Sequence, residues 1–143
     1  MRSRELRVAL LVLRVGLGVF LLLWSIDKMV APEQTAKIFQ FFYKTALPAS
    51  FAPAVGALEA ALSLAFLAGL WKTWTYGACL ALHAISTLST WKQLLTPFGE
   101  HHLFIAAIPV LAAFVALFLL RREDTLFTLG GGRGSPADVH GSA

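Results

Sequence analysis

Charge is scarce in this chain. Of its 143 residues only 14% are charged while 57% are apolar, against about 25% and 45–50% in ordinary soluble domains. The mean hydropathy is +0.70. Both departures point to a chain whose solvent is largely lipid. Cysteine is almost absent. The single Cys79 excludes an intramolecular disulfide and any CxxC redox pair. A mixed disulfide with a partner stays chemically open, but a small buried apolar residue is the simpler reading. No haem, flavin or iron–sulfur motif is found, so a redox cofactor would come from a partner or be a quinone. The net charge of +4 and isoelectric point near 9.6 do not indicate nucleic acid. The basic residues sit beside apolar segments, with no recognition motif among them.

What the sequence does have is apolar length. Four segments, approximately Val8–Ile26, Phe51–Leu70, Trp74–Trp91 and Leu103–Leu120, each approach the ~20 residues that cross a ~30 Å hydrocarbon core. The first follows Arg2, Arg4 and Arg7 like a signal peptide, but its length and the missing A-x-A pattern favour a retained anchor. Trp24, Trp71, Trp74 and Trp91 fall at segment ends, where interfacial aromatic belts lie. The expected fold is therefore all-α, an integral membrane four-helix bundle. One four-span domain covers residues 1–129, and a disordered cytoplasmic tail, 130–143, follows it.

Orientation follows from the flanks. With both termini cytoplasmic, the inner side holds Arg2, Arg4, Arg7, Lys72, Arg121, Arg122 and Arg133, and the outer side Lys28, Lys37, Lys44 and Lys92. The connection from Asp27 to Ser50 contains "PEQTAKIFQFFYK", with a helix start at Pro32 and Glu33. Two readings fit it: an interfacial helix or an ordered loop over the mouth of the bundle. Trp71 to Thr73 is short enough to make the second and third spans an antiparallel hairpin.

Polar residues inside the spans are costly and so informative. Arg14 stands in the first, where insertion of an arginine costs roughly 2.5–3.5 kcal/mol at a span centre. Arg14, Gly18, Leu21, Ser25 and Lys28 recur at steps of four and three, which places them on one helical face. The second span carries Gly56, Glu59, Ala60 and Ser63, with Gly56 and Ala60 spaced for close helix approach. In the third, Tyr76, His83, Thr87 and Thr90 share a face. At ~1.5 Å per residue, Arg14 lies roughly 9 Å, Glu59 roughly 16 Å and His83 roughly 13–14 Å above the inner edge. The expectation is an intramembrane cluster of Arg14, Glu59 and His83, with Glu59 as the counter-ion. The alternative is an Arg14 that snorkels to the headgroups. Lys28, Tyr76 and Thr87 are supporting contacts.

At the outer edge "TPFGEHH" offers Glu100, His101 and His102 as contacts for a metal, a quinone headgroup or a redox partner. Adjacent histidines point about 100° apart on a helix and no i,i+4 pair exists, so no bound metal is expected. Pro109 suggests a bend within the fourth span.

The order Arg14-x3-Gly18, Lys28, Pro32, then Gly56-x2-Glu59 with Gly69 closing the second span, resembles DoxX-like membrane proteins. The stretch "STLSTWKQLLTPFGEHHLFIAAIPVLAAFVALFLLRREDTLFTL" resembles the closing half of short proteobacterial members. Together these cover Leu6 to Leu129. Ser25-Ile26-Asp27 departs from the small residue often found before the first-loop lysine. The resemblance implies a multi-pass protein of the bacterial inner membrane. DoxD-type members are subunits of a thiosulfate:quinone oxidoreductase, and others sit in redox or oxidative-stress complexes. A MauE-like branch is linked to thiol chemistry, against which the lone Cys79 argues. Arg14, Lys28 and Glu59 are the matching positions, and none carries an assigned catalytic role.

Three functions follow as expectations: a membrane subunit or accessory factor of a quinone-linked redox complex, a non-enzymatic scaffold or assembly factor, or a small-solute or proton transporter. The last is disfavoured by four short spans without an inverted repeat. The partners are the lipid bilayer and redox proteins. Oligomeric state and substrate are not legible.

Overall fold

Ser3 opens the first helix, its side chain accepting a hydrogen bond from the Leu6 amide at 3.2 Å in the usual N-cap manner. In this computed structural model, which describes residues 3–130, no strand occurs among the described residues. Helix α1 runs Arg4–Val30. It stops because Pro32 forces Ala31 out of the helical region, to φ −130° and ψ 59°. The same proline begins α2, Pro32–Ile38, which continues into a wider π-type turn, Phe39–Tyr43. The first connection is thus helical.

A 3-10 turn, Ala49–Phe51, leads into α3, Ala52–Leu67. Helices α4, Lys72–Ser89, and α5, Trp91–Leu95, follow. A 3-10 segment, Gly99–Ala106, then feeds α6, Ala107–Leu119. Pro109 lies near the start of this last helix. It is the third residue of α6, and the winding changes from 3-10 to α just before it.

Among the described residues three stretches are long and apolar enough to cross a membrane: Arg4–Val30, Ala49–Leu67 and Gly99–Leu119. The expected fourth, α4, is not among them. Its 18 residues include Lys72, Thr73, Thr75, Tyr76, His83, Ser86, Thr87 and Ser89, which dilute its hydropathy.

Helices α1 and α3 form the tightest pair, and glycine explains how. A Cβ at Gly56 would lie 2.7 Å from the Ser25 carbonyl oxygen, and one at Gly18 would lie 2.3 Å from Leu67 Cδ2. The two helices are therefore antiparallel and approach at both ends through missing side chains. Helices α4 and α6 are antiparallel too: Thr73 meets Arg121 and His83 meets Ala107. Between the pairs lies an aromatic and aliphatic core of Leu10, Leu17, Phe66, Tyr76, Cys79, Phe114 and Leu117. Cys79 is buried there. The buried residues of α1 are Leu10, Arg14, Leu17, Gly18 and Ser25, the face that the four-and-three spacing predicts.

The α3–α4 turn ends in a Schellman arrangement: Leu70 N–H donates to Ala65 O and Gly69 N–H to Phe66 O, both at 3.0 Å. Gly69 adopts φ +66°, and a Cβ there would sit 2.7 Å from Thr128 Cγ2 and 3.1 Å from Arg14 Nη1. Gly69→Ala is expected to cost at least about 1–2 kcal/mol from the left-handed backbone alone. Thermal unfolding in detergent checks this.

After α6 the chain turns back. Residues 121–130 cross the end of the packed helices, and Leu129 N–H donates to Ala68 O at 2.9 Å. The part of the expected tail beyond Gly130 lies outside the described residues.

Candidate intramembrane ion-pair sites

Arg14 lies on the buried face of α1 and is 1% exposed. Its counter-ion is Asp124, from the returning segment, and not Glu59. Arg14 Nη1 donates to both Asp124 carboxylate oxygens at 3.0 Å, while Nη2 donates to Leu126 O at 2.6 Å and Phe127 O at 3.2 Å. Tyr76 on α4 donates its hydroxyl to Asp124 Oδ2 at 2.6 Å, and Lys72 Nζ donates to the Asp124 backbone carbonyl. Asp124 is fully buried. Arg14 Nε is buried without a hydrogen-bond partner among the described residues, so one desolvated N–H stays uncompensated.

The arrangement ties three otherwise separate pieces of chain. α1 supplies the cation, α4 the phenol, and the C-terminal segment the acid and two carbonyls. A guanidinium fork suits this geometry because it can meet a carboxylate and carbonyls at once. The Phe66 ring covers Tyr76, centroids 4.8 Å apart, and seals the site from the core side.

Glu59 has another partner. Lys28 Nζ donates to Glu59 Oε2, with the two side chains 17% and 25% exposed. Lys28 reaches inward from the last turn of α1 beside the Gly56 contact. Fourteen residues separate Arg14 from Lys28, so the two ion pairs stand ~21 Å apart along α1. Lys28 pins the last turn of α1 and Arg14 pins its middle. Because the Lys28–Glu59 pair keeps some solvent access, Glu59→Ala is expected to cost about 1–2 kcal/mol, between surface and buried pairs. Chemical denaturation of the purified protein checks that value.

His83 joins neither pair. Its ring lies edge-on to Phe20 at 5.7 Å and near Phe114 at 5.3 Å, and its Nε2–H donates to Ala107 O at 3.3 Å. Tyr76 precedes it by seven residues on the same face, so His83 sits ~10 Å farther along α4. Thr87 is buried one turn on, its hydroxyl donating to His83 O at 2.8 Å. The expected cluster of Arg14, Glu59 and His83 is thus three separate sites.

The outer connection is looser. His101 Nδ1 lies 3.1 Å from Thr96 Oγ1, while Glu100 and His102 are exposed. No group of three or more metal-ligating side chains occurs among the described residues.

Asp124 is a site residue that helical spacing does not mark. It follows two arginines that read as ordinary inner-side flanks. The available signal was Leu126, Phe127 and Leu129, apolar residues that a solvated tail does not need.

The DoxX family model matches residues 9–92. The chain belongs to the DoxX family. The matched region holds Arg14, Lys28, Glu59, Tyr76 and His83, and it ends before α6 and before Asp124. No curated protein and no solved structure matches the chain. As a DoxX-type protein with three helices apolar enough to cross a bilayer, it is a membrane protein.

Proposed function

We propose that this DoxX protein is a multi-pass inner-membrane subunit or accessory factor of a quinone-linked redox complex, with four spans and both termini cytoplasmic. The fourth span is α4. Its course beside α6, from Thr73 at Arg121 to His83 at Ala107, supports this reading. Arg4, Arg7, Lys72, Arg121 and Arg122 gather at the end that holds the Arg14–Asp124 pair, as cytoplasmic flanks do.

The observation that carries the accessory role is the closure of the Arg14–Asp124–Tyr76 site. Its cation and acid face each other, both within 1% of complete burial. Such a pair fixes how helices and the C-terminal segment fit together, and electron transfer is left to a partner. The redox assignment itself follows the DoxX resemblance, and a quinone is the electron acceptor it implies.

Purification in mild detergent, followed by mass spectrometry of bound proteins and lipids, tests the proposal. A redox-cofactor protein and an isoprenoid quinone are expected to co-purify, and deletion of the gene is expected to slow membrane quinone reduction. A solitary chain without quinone, together with unchanged quinone reduction, contradicts the proposal.

A second reading, a scaffold or assembly factor, is favoured by Phe98 and Leu103, each 84% exposed, and by Phe41 at 60% in the outer connections. Under it, deletion lowers the amount of the partner complex and leaves the activity per complex unchanged.

A further inference from the structure

Three donors from two helices converge on a spot that neither helix fills. Arg14 comes from α1, and Lys72 and Tyr76 come from α4. Among the described residues every hydrogen bond of the Arg14 guanidinium goes to residue 124, 126 or 127. The Tyr76 hydroxyl and Lys72 Nζ donate to Asp124 as well. Arg14 and Tyr76 are both fully buried. Lift the returning segment away, and the helices present a desolvated guanidinium and phenol that lack these acceptors. A planar cation with a hydroxyl beside it is a receptor for a carboxylate.

The present occupant is loosely built and imperfectly seated. Of residues 121–130 Asp124 alone is buried, while Phe127 and Leu129 are exposed. The segment is made of turns and contains no helix. Phe127 adopts the left-handed region at φ +49°, which is strained for a residue with a side chain. Segments of this kind open locally more easily than packed helices do. The acid also meets one nitrogen alone: both Asp124 oxygens accept from Nη1, and Nε has no partner among the described residues. An untethered carboxylate pairs with two nitrogens of the fork through parallel bonds.

We propose that Arg14 and Tyr76, with Lys72 at the rim, form a binding site for a small organic carboxylate, and that Asp124 is its tethered occupant. A free carboxylate takes the place of Asp124 as the 121–130 segment swings away. Carboxylate binding involves no electron transfer, so it leaves the redox step to a partner. Either reading can fail without the other.

The site is tested by thermal unfolding of the full-length Asp124→Ala variant in detergent, titrated with sodium acetate against sodium chloride at equal ionic strength and neutral pH. Acetate is expected to raise the unfolding temperature of Asp124→Ala, levelling off at saturation. Asp124→Asn, whose amide still fills the space, is expected not to respond. Adding Tyr76→Phe to Asp124→Ala is expected to raise the acetate needed for half the shift about tenfold, the loss of one hydrogen bond to a charged group. Displacement is read on wild type, which needs no variant to fold. There the tethered Asp124 competes from an effective concentration at least on the order of millimolar. Acetate well above that level is expected to speed proteolysis within residues 121–130 relative to chloride, with a free peptide correcting for any effect on the protease. Acetate no better than chloride on Asp124→Ala overturns the proposal, as does an equal shift in Asp124→Asn, which marks a general salt effect. Wild-type cleavage indifferent to acetate overturns it too, by making Asp124 a permanent fixture of the fold.

Discussion

Asp124→Ala is expected to lower the unfolding free energy of the detergent-solubilised protein by about 3–5 kcal/mol, the usual loss when one partner of a buried pair is removed. The size follows from what is left behind. Arg14 stays inside, 1% exposed, facing Tyr76 and two carbonyls with no anion to balance it. Asp124→Asn keeps one acceptor oxygen, which at the Oδ2 position serves both Nη1 and the Tyr76 hydroxyl, while deleting the charge, so its loss falls between alanine and wild type. Tyr76→Phe removes a single neutral donor to the carboxylate and is expected to cost about 1–3 kcal/mol. Unfolding in mixed micelles, followed by tryptophan fluorescence, gives all three values. The same experiment carries a structural consequence. Without Asp124 the returning segment loses its anchor, so protease cleavage within residues 121–130 is expected to speed up.

Gly56→Leu is expected to cost about 3 kcal/mol or more, at the upper end of overpacking penalties. A Cβ there meets the Ser25 carbonyl oxygen at 2.7 Å and Met29 and Lys28 at 2.9 and 3.0 Å. The side chains can swing aside, but the backbone oxygen cannot, so α1 and α3 must separate. That movement also opens the Lys28–Glu59 pair one turn away. Gly16 supplies the control. Nothing lies within 4 Å of a Cβ there, and Gly16→Ala is expected to be neutral or up to about 1 kcal/mol more stable. Equal losses at Gly16 and Gly56 would mean that helix propensity, and not close approach, governs both.

The buried face of α1 was legible because helical spacing is local: Arg14, Gly18 and Ser25 recur at the period of the helix. The same holds for Tyr76, His83 and Thr87 on α4, for the close approach at Gly56, and for the helix start at Pro32. Pairing was less legible. Cα height predicts pairing only under the rule that ionisable groups of adjacent helices meet at one layer. Lys28 defeats it, since its long side chain bends inward to Glu59. Asp124 defeats it more thoroughly, because its chain leaves the helical layer and returns, with Phe127 at φ +49°, and no periodic pattern marks such a turn. A contact 110 residues apart in sequence depends on where two ends of the chain are brought by everything between them. His83 matches the cluster in height alone; its ring neighbours are Phe20 of α1 and Phe114 of α6.

The pairing scheme is tested most directly by two double-mutant cycles that share one arm. Arg14→Met is combined with Asp124→Asn in the first and with Glu59→Gln in the second, and unfolding free energies are measured under one set of detergent conditions. Residues in direct contact couple by about 0.5–3 kcal/mol, and independent ones add within about 0.5 kcal/mol. The structure requires strong coupling between Arg14 and Asp124, about 2–3 kcal/mol for a pair this buried, and additivity between Arg14 and Glu59. Additivity of Arg14 with Asp124, together with coupling of Arg14 to Glu59, would contradict it.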